Sequence, residues 1–242
     1  MNHRLATHFL VFSPDGRVLA GIIGDYTIRL WHTANNQPDQ FLDISAPNTH
    51  YNDLAFSPDG KVLASCSDRI IQFWNISDGK LLYELEGHTS QVKKIIFSPD
   101  GGLLASLAYK SPVLLWSIPD KKLLLSINST ITYKIKDLPG PRTMSDDIES
   151  IAFSSDGQML LTRGGMKRLR LWDIHSGKLL RDWPTKGSKI GMVNVAFSSK
   201  EMLAHEYTQD DPRKEFVQLW GVTDTPSNQK KRGWWQRLFG ND

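Results

Sequence analysis

Serine, histidine and aspartate recur in company along this 242-residue sequence: His3 with Asp25, Ser65 with Asp68, His88 with Ser106. These are the residue types of a nucleophilic triad, in which a histidine takes the serine proton and a carboxylate orients the ring. The local motifs of an enzyme are nevertheless missing. No Gly-x-Ser-x-Gly elbow lifts a serine onto a strained turn, no Walker-type loop offers amides to a phosphate, and no dinucleotide fingerprint follows a strand. The seven histidines, at 3, 8, 32, 50, 88, 175 and 205, form no ligand-like cluster, so neither a metal site nor a cofactor is expected. Cys66, the single cysteine, reads as a small buried apolar residue. With no disulfide to make and no apolar leader, the chain reads as cytoplasmic. No apolar run approaches the ~18 residues of a membrane span.

The elements that position these residues come from an internal repeat. Phe12-Ser13-Pro14-Asp15-Gly16 returns as Phe56-Ser57-Pro58-Asp59-Gly60 and Phe97-Ser98-Pro99-Asp100-Gly101. It returns more weakly as Phe153-Ser154-Ser155-Asp156-Gly157 and Phe197-Ser198-Ser199-Lys200-Glu201, at steps of 44, 41, 56 and 44. A tryptophan closes each unit 18 or 19 residues after that Phe in four cases and 23 in the last: Trp31, Trp74, Trp116, Trp172 and Trp220. Ser-Pro-Asp-Gly is turn chemistry, so strands flank it. Each unit reads as a four-stranded antiparallel meander, as in Lys94-Ile95-Ile96-Phe97, Leu103-Leu104-Ala105, the strand ending in Trp116, and a last strand such as Leu81 to Leu85. The in-and-out alternation is imperfect, which implies that both faces of each small sheet are covered. A sheet of ~40 residues cannot bury its own faces, so neighbouring units must stack on it, and the architecture predicted is an all-β propeller of about five blades.

Gly87-His88, Val92, Phe97-Ser98-Pro99-Asp100-Gly101, Leu104-Ala105-Ser106 and Trp116, with the dipeptide Trp172-Asp173, closely resemble the WD-repeat family in order and spacing. The resemblance runs over nearly the whole chain, with repeats at approximately 1–43, 44–86, 87–143, 144–187 and 188–228 and a further segment at 229–242. It implies that a His, a Ser or Thr, an Asp and the Trp of each repeat form a hydrogen-bonded set that pins the blade. The residues available are His3, Asp25 and Trp31 with Gly21 in place of the hydroxyl; Ser65, Asp68 and Trp74 with Pro47 in place of the His; His88, Ser106 and Trp116 with Lys110 in place of the Asp; and Trp172 and Trp220. No set is complete, and packing is expected to carry more of the stability. The family is mostly seven-bladed, so five units leave open an unaided ring, an open or incomplete one, or self-association that completes it.

Two length excesses break the repeat: 127–147, ahead of the first strand of unit four, and about five residues within 205–214, between the second and third strands of unit five. In a meander both kinds of connection leave on the same rim. That rim also carries Tyr26, His50, Tyr51, Arg69, Tyr109, Lys110, Arg163, Lys167, Arg168 and Tyr207 as candidate partner-binding residues, since aromatic and Arg side chains dominate binding energy.

Lys plus Arg is 29 and Asp plus Glu is 26, a net +3 that falls on the last residues: Lys230, Lys231, Arg232 and Arg237 against Asp242. Residues 1–228 are neutral overall, so nucleic acid is not an expected partner. The resemblance implies a non-enzymatic interaction scaffold that binds a protein or peptide on the loop-rich rim. Two alternatives are a propeller hydrolase with a site in the central channel, and a peripheral membrane protein held weakly by 229–242. That segment contains Trp234, Trp235, Leu238 and Phe239 and reads as the outer strand of the last blade in preference to an amphipathic helix.

Overall fold

The computed structural model describes residues 7–24, 26–33, 41–45, 49–133, 142–165, 168–184, 193–197, 201–207 and 215–221. Among the expected features, His3, Asp25, Lys167, the segment 229–242 and the centres of both length excesses lie outside them.

The first four repeats share one turn, built by its own side chains. The Ser13 hydroxyl donates to Asp15 Oδ1 at 2.7 Å and accepts the Val18 N–H at 2.9 Å. Gly16, at φ 71°, donates its N–H to the Ser13 carbonyl. The same serine-to-aspartate bond recurs at Ser57–Asp59, Ser98–Asp100 and Ser154–Asp156, each at 2.6 Å. With both ends of the turn tied locally, the flanking strands can only pair with each other.

The strands form consecutive antiparallel meanders. The first holds β1 (Thr7–Phe12), β2 (Val18–Ile23), β3 (Thr27–His32) and β4 (Phe41–Ile44). The second holds β5 (Tyr51–Phe56), β6 (Val62–Ser67), β7 (Ile70–Asn75) and β8 (Leu81–Glu86). The third comprises β9 (Val92–Phe97), β10 (Leu103–Ala108), β11 (Val113–Ser117) and β12 (Lys122–Ile127). Next comes a two-stranded ribbon of β13 (Thr130–Tyr133) and β14 (Arg142–Ser145). The fourth meander holds β15 (Ile148–Phe153), β16 (Met159–Gly164), β17 (Arg168–Asp173) and β18 (Leu179–Pro184), and a fifth sheet holds β19 (Val193–Phe197), β20 (Glu201–Tyr207) and β21 (Glu215–Gly221). The described residues contain no α-helix. The ribbon is the length excess at 127–147, which the sequence left without secondary structure.

No sheet owns a core. The first strands stand side by side, β1 against β5, β5 against β9, β9 against β15 and β15 against β19. The apolar clusters lie between sheets: Ile28 and Leu30 pack with Leu54, Leu63 and Trp74; Ile71 and Phe73 pack with Ile95, Leu104 and Trp116; Leu107 and Leu115 pack with Ile151, Leu160 and Trp172. The sheets are therefore the blades of a propeller; the first leaves Leu10 and Phe12 of β1 exposed, while the second, third and fourth are covered on both faces. This explains why β11 is buried at every residue.

Candidate functional site

Blade three holds the best-formed hydrogen-bonded set. Trp116 Nε1–H donates to Ser106 Oγ at 2.8 Å, and His88 Nε2 meets the same oxygen at 2.6 Å. Ser106 is fully buried and His88 is 5% exposed. Burial depresses the His88 pKa to about 4, so the ring is neutral near neutral pH. A serine oxygen closed in by an indole and an imidazole is a pin, not a nucleophile. In blade two Trp74 Nε1–H donates to Ser65 Oγ at 2.8 Å. Asp68 takes no part, contrary to expectation: it occupies the tight β6–β7 turn at φ 45°, with an exposed carboxylate 3.7 Å from Arg69 Nε. Blade four uses Thr162, whose Oγ1 accepts the Trp172 Nε1–H at 2.9 Å. Thr162 stands ten residues before its tryptophan, as Ser106 does, and that spacing was the available signal. In blade one Gly21 leaves Trp31 without a hydroxyl, and the space is closed: a Cβ at Gly21 would stand 2.8 Å from Leu10 Cδ2 and 3.0 Å from Trp31 Cζ3. Trp220 lies in β21, opposite Met202.

The two rims are defined by backbone hydrogen bonds. On one, turns after the third strand bond to the first hairpin of the same blade, as in Ile76 N–H to Lys61 O and Ile118 N–H to Gly102 O. On the other, the turns between second and third strands bond to the connections that lead into first strands: Tyr109 N–H to Gln91 O, Val92 N–H to Asp68 O, Gly165 N–H to Asp147 O. The ribbon's feet belong to this second rim, since Ser129 and Asp146 precede β15 and bond to each other, Asp146 N–H to Ser129 O at 2.7 Å.

The candidate side chains divide sharply on this rim. Tyr26 is 49% exposed and lies against the His50 ring, centroids 4.2 Å apart. Tyr109 is also 49% exposed and carries Lys93 Nζ at 4.2 Å and Lys110 Nζ at 5.2 Å from its centroid. Arg69 is exposed. Two others are interior: Tyr51, the first residue of β5, is buried in the cluster between blades one and two, and Arg163 is buried with its guanidinium against Glu149. Arg168 is half-buried and bound to Asp182 at 2.7 Å. Tyr207 ends β20, opposite Glu215.

Lys93 was not anticipated, and its position has a structural cause. The ladder between the first two strands of each of the first four blades slips at one point, at Thr7/Phe9, Tyr51/Asp53, between Lys94 and Val92, and at Ile148/Ser150. The residue skipped is the second of its strand: His8, Asn52, Lys93 and Glu149. A bulge bends the strand and re-aims the side chain. Asn52 Nδ2 donates to the Val92 carbonyl of the next blade at 3.0 Å, Lys93 covers Tyr109, and Glu149 holds Arg163. In blades two and four the third residue then falls between blades. Asp53 accepts the Ile95 N–H at 2.8 Å, and Ser150 accepts the Val195 N–H at 3.1 Å. Burial raises the Asp53 pKa to about 6 and pushes the Cys66 thiol well up.

A second buried polar group anchors the ribbon. Arg170 on β17, 3% exposed, donates to Ser129 Oγ and to Asp146 Oδ2, the latter at 3.0 Å, and lies 3.5 Å from Asp182 Oδ1. Among the described residues no three His, Cys, Asp or Glu side chains gather as a metal would need.

Comparison with known proteins agrees with the blades. Residues 3–32, 44–75 and 79–109 match the family described as WD domain, G-beta repeat. The chain is 22% identical over 238 residues to apoptotic protease-activating factor 1 of Rattus norvegicus, covering 81% of this chain and 18% of that protein. It is 26% identical to the small ribosomal subunit protein RACK1 of Drosophila melanogaster, over 67% of this chain and 49% of that one. An uncharacterised WD repeat-containing protein of Synechocystis is 29% identical over 63% of this chain and 40% of its own length. The chain thus spans half or less of the length of these relatives.

Proposed function

The chain belongs to the WD-repeat family, and from that premise we propose that it is a non-enzymatic scaffold that docks a protein or peptide on the rim bearing Tyr26 and Tyr109. The observation that carries this reading is the repeated bulge. In consecutive blades it delivers polar side chains, Asn52, Lys93 and Glu149, to one rim, where exposed aromatics already stand. Aromatic rings flanked by cations and amides are the composition of binding hot spots, and these are held on strands that the blade cores fix in place. Two of the relatives support the reading by what their names say: one is a component of the small ribosomal subunit, the other a protease-activating factor.

Selection of displayed random peptides on the purified chain tests it. Selected peptides should lose binding to Tyr109→Ala and Lys93→Ala and keep it with Lys122→Ala, which alters the opposite rim. Peptides that ignore the first two variants and respond to the third would refute the assignment of the docking rim.

A further inference from the structure

Where the β6–β7 turn meets the end of β8, a cleft of about 270 Å³ opens, lined by Asp68, Arg69, Ile70, Glu86, Gly87 and His88. One of its lining residues carries an unanswered hydrogen-bonding group. His88 is 5% exposed, its Nε2 is committed to Ser106, and its Nδ1 has no partner among the described residues. A buried polar atom left unpaired is a standing cost that a ligand can remove.

The charges on the walls decide which ligand. Asp68 and Arg69 offset each other, with Nε and Oδ2 3.7 Å apart. The Glu86 carboxylate has no ion pair among the described residues, so the cleft carries one uncompensated negative charge. The hydrogen-bond chain behind it adds an acceptor. Ser106 Oγ receives the Trp116 Nε1–H, and its own proton has the Leu114 carbonyl at 3.5 Å. Nε2–H of His88 can then donate to Ser106, which leaves a bare lone pair on Nδ1. Gly87 lies close against the Trp116 indole: a Cβ there would stand 2.8 Å from Cη2.

We propose that this cleft is a socket for one cationic side chain, lysine or arginine, projecting from the docked partner. Its N–H groups would donate to Glu86 and to His88 Nδ1 while its methylenes lie along Ile70. Because Lys110 occupies the place where the family pattern has a carboxylate, nothing from blade three's own turn competes for that histidine nitrogen in the described contacts. The proposal rests on the reading of this rim as a docking face and names the chemistry of one contact on it.

The test uses the whole chain, isotopically labelled, titrated with capped Gly-Gly-Arg-Gly-Gly and Gly-Gly-Lys-Gly-Gly, with Gly-Gly-Glu-Gly-Gly as the contrary probe. The cationic peptides should give saturable shifts at the Gly87 and His88 amides and move the His88 Nδ1 resonance as it accepts a hydrogen bond. Glu86→Gln, at an exposed position that folding tolerates, should weaken them at least about tenfold, the loss of one charge-assisted hydrogen bond. Preferential binding of the acidic peptide, equal binding by Glu86→Gln, or no saturable shift at Gly87 and His88 would each overturn the proposal. If display-selected peptides meanwhile respond to Tyr109→Ala with the cleft silent, the socket fails and the docking rim stands.

Discussion

Two buried titratable groups respond to acid in opposite directions, and the structure says by how much. His88 has its pKa lowered from 6.5 to about 4 by burial. As pH falls from 6.5 towards 4, the unfolded chain takes up a proton that the folded chain refuses, so stability drops. At 1.36 kcal/mol per pKa unit the full loss is about 3 kcal/mol. Asp53 has its pKa raised from 3.8 to about 6, burial outweighing the N–H bond from Ile95. Between pH 6 and 3.8 the folded chain takes up a proton that the unfolded chain refuses, so stability rises, again by about 3 kcal/mol over the full window. The wild-type chain should therefore be nearly indifferent to pH across this range. Asp53→Asn keeps an acceptor for Ile95 and cannot titrate; it should lose about 2 kcal/mol more than wild type between pH 6.5 and 4.5. His88→Gln should gain about 2 kcal/mol relative to wild type over the same interval. The turn carboxylates Asp15, Asp59, Asp100 and Asp156 are held below 3.8 by serine hydroxyls and backbone N–H groups, so their contribution is intact above that pH and lost only beneath the window. Urea unfolding followed by tryptophan fluorescence at pH 6.5, 5.5 and 4.5 reads the slopes. Parallel stability curves for the three proteins would refute the placement of both side chains between the blades.

Three further outcomes follow from the packing. Ser106→Ala leaves the Trp116 indole N–H and His88 Nε2 buried and unpaired and should cost about 2–4 kcal/mol in the same unfolding assay, where Ser77→Ala, in an exposed turn, should cost under about 1. Gly21→Ser offers Trp31 the hydroxyl that the other blades use, yet its Cβ meets Leu10 and Trp31, so the melting temperature should fall; a rise would show that the closed space in blade one is wrong. Arg170→Met takes the guanidinium away from the buried Asp146 carboxylate and from Ser129 and should cost about 3–5 kcal/mol, whereas Arg170→Met with Asp146→Leu should recover part of it; equal losses would mean the guanidinium does not hold the ribbon's feet.

What could be read in the sequence was what depends on neighbours along the chain. The Ser-Pro-Asp-Gly turn builds itself within five residues, and the resemblance to WD repeats implied that a tryptophan pairs with a hydroxyl on the strand before it, as Ser65–Trp74 and Ser106–Trp116 do. Bulges have no compositional mark. In β5 Tyr51 is buried just ahead of the bulge and Asn52, the skipped residue, turns outward, while Arg163 on β16 is held in the interior beside Glu149, the residue skipped in β15, so both look like rim residues in the sequence and are buried. Arg170 and Asp146 are 24 positions apart and meet only because the ribbon returns to its starting point; no local pattern announces that.

On the proposed docking rim the bulges also tie recognition to stability. In blades two and four the bulge sends the second residue of the strand to the rim and the third into the gap between blades, where Asp53 and Ser150 each capture a backbone N–H of the following blade. The proposed docking surface and the blade-to-blade clasps are thus adjacent residues of the same strands. A partner that grips Asn52 or Lys93 pulls on one of the two strands, β5 and β9, that the Asp53–Ile95 bond joins. Because no blade has a core of its own, the position of one rim residue is set by the packing of two blades. Loss of the Asp53 clasp should therefore weaken peptide binding at Lys93 and Tyr109 even though Asp53 is buried beneath the rim. Measured with the display-selected peptides at pH 7, Asp53→Ala should lower affinity while leaving the chain folded by circular dichroism, and Asp53→Asn, which still accepts the Ile95 N–H, should not. Equal affinities for wild type and Asp53→Ala would show that the rim holds its shape without the clasp, and the coupling would be absent.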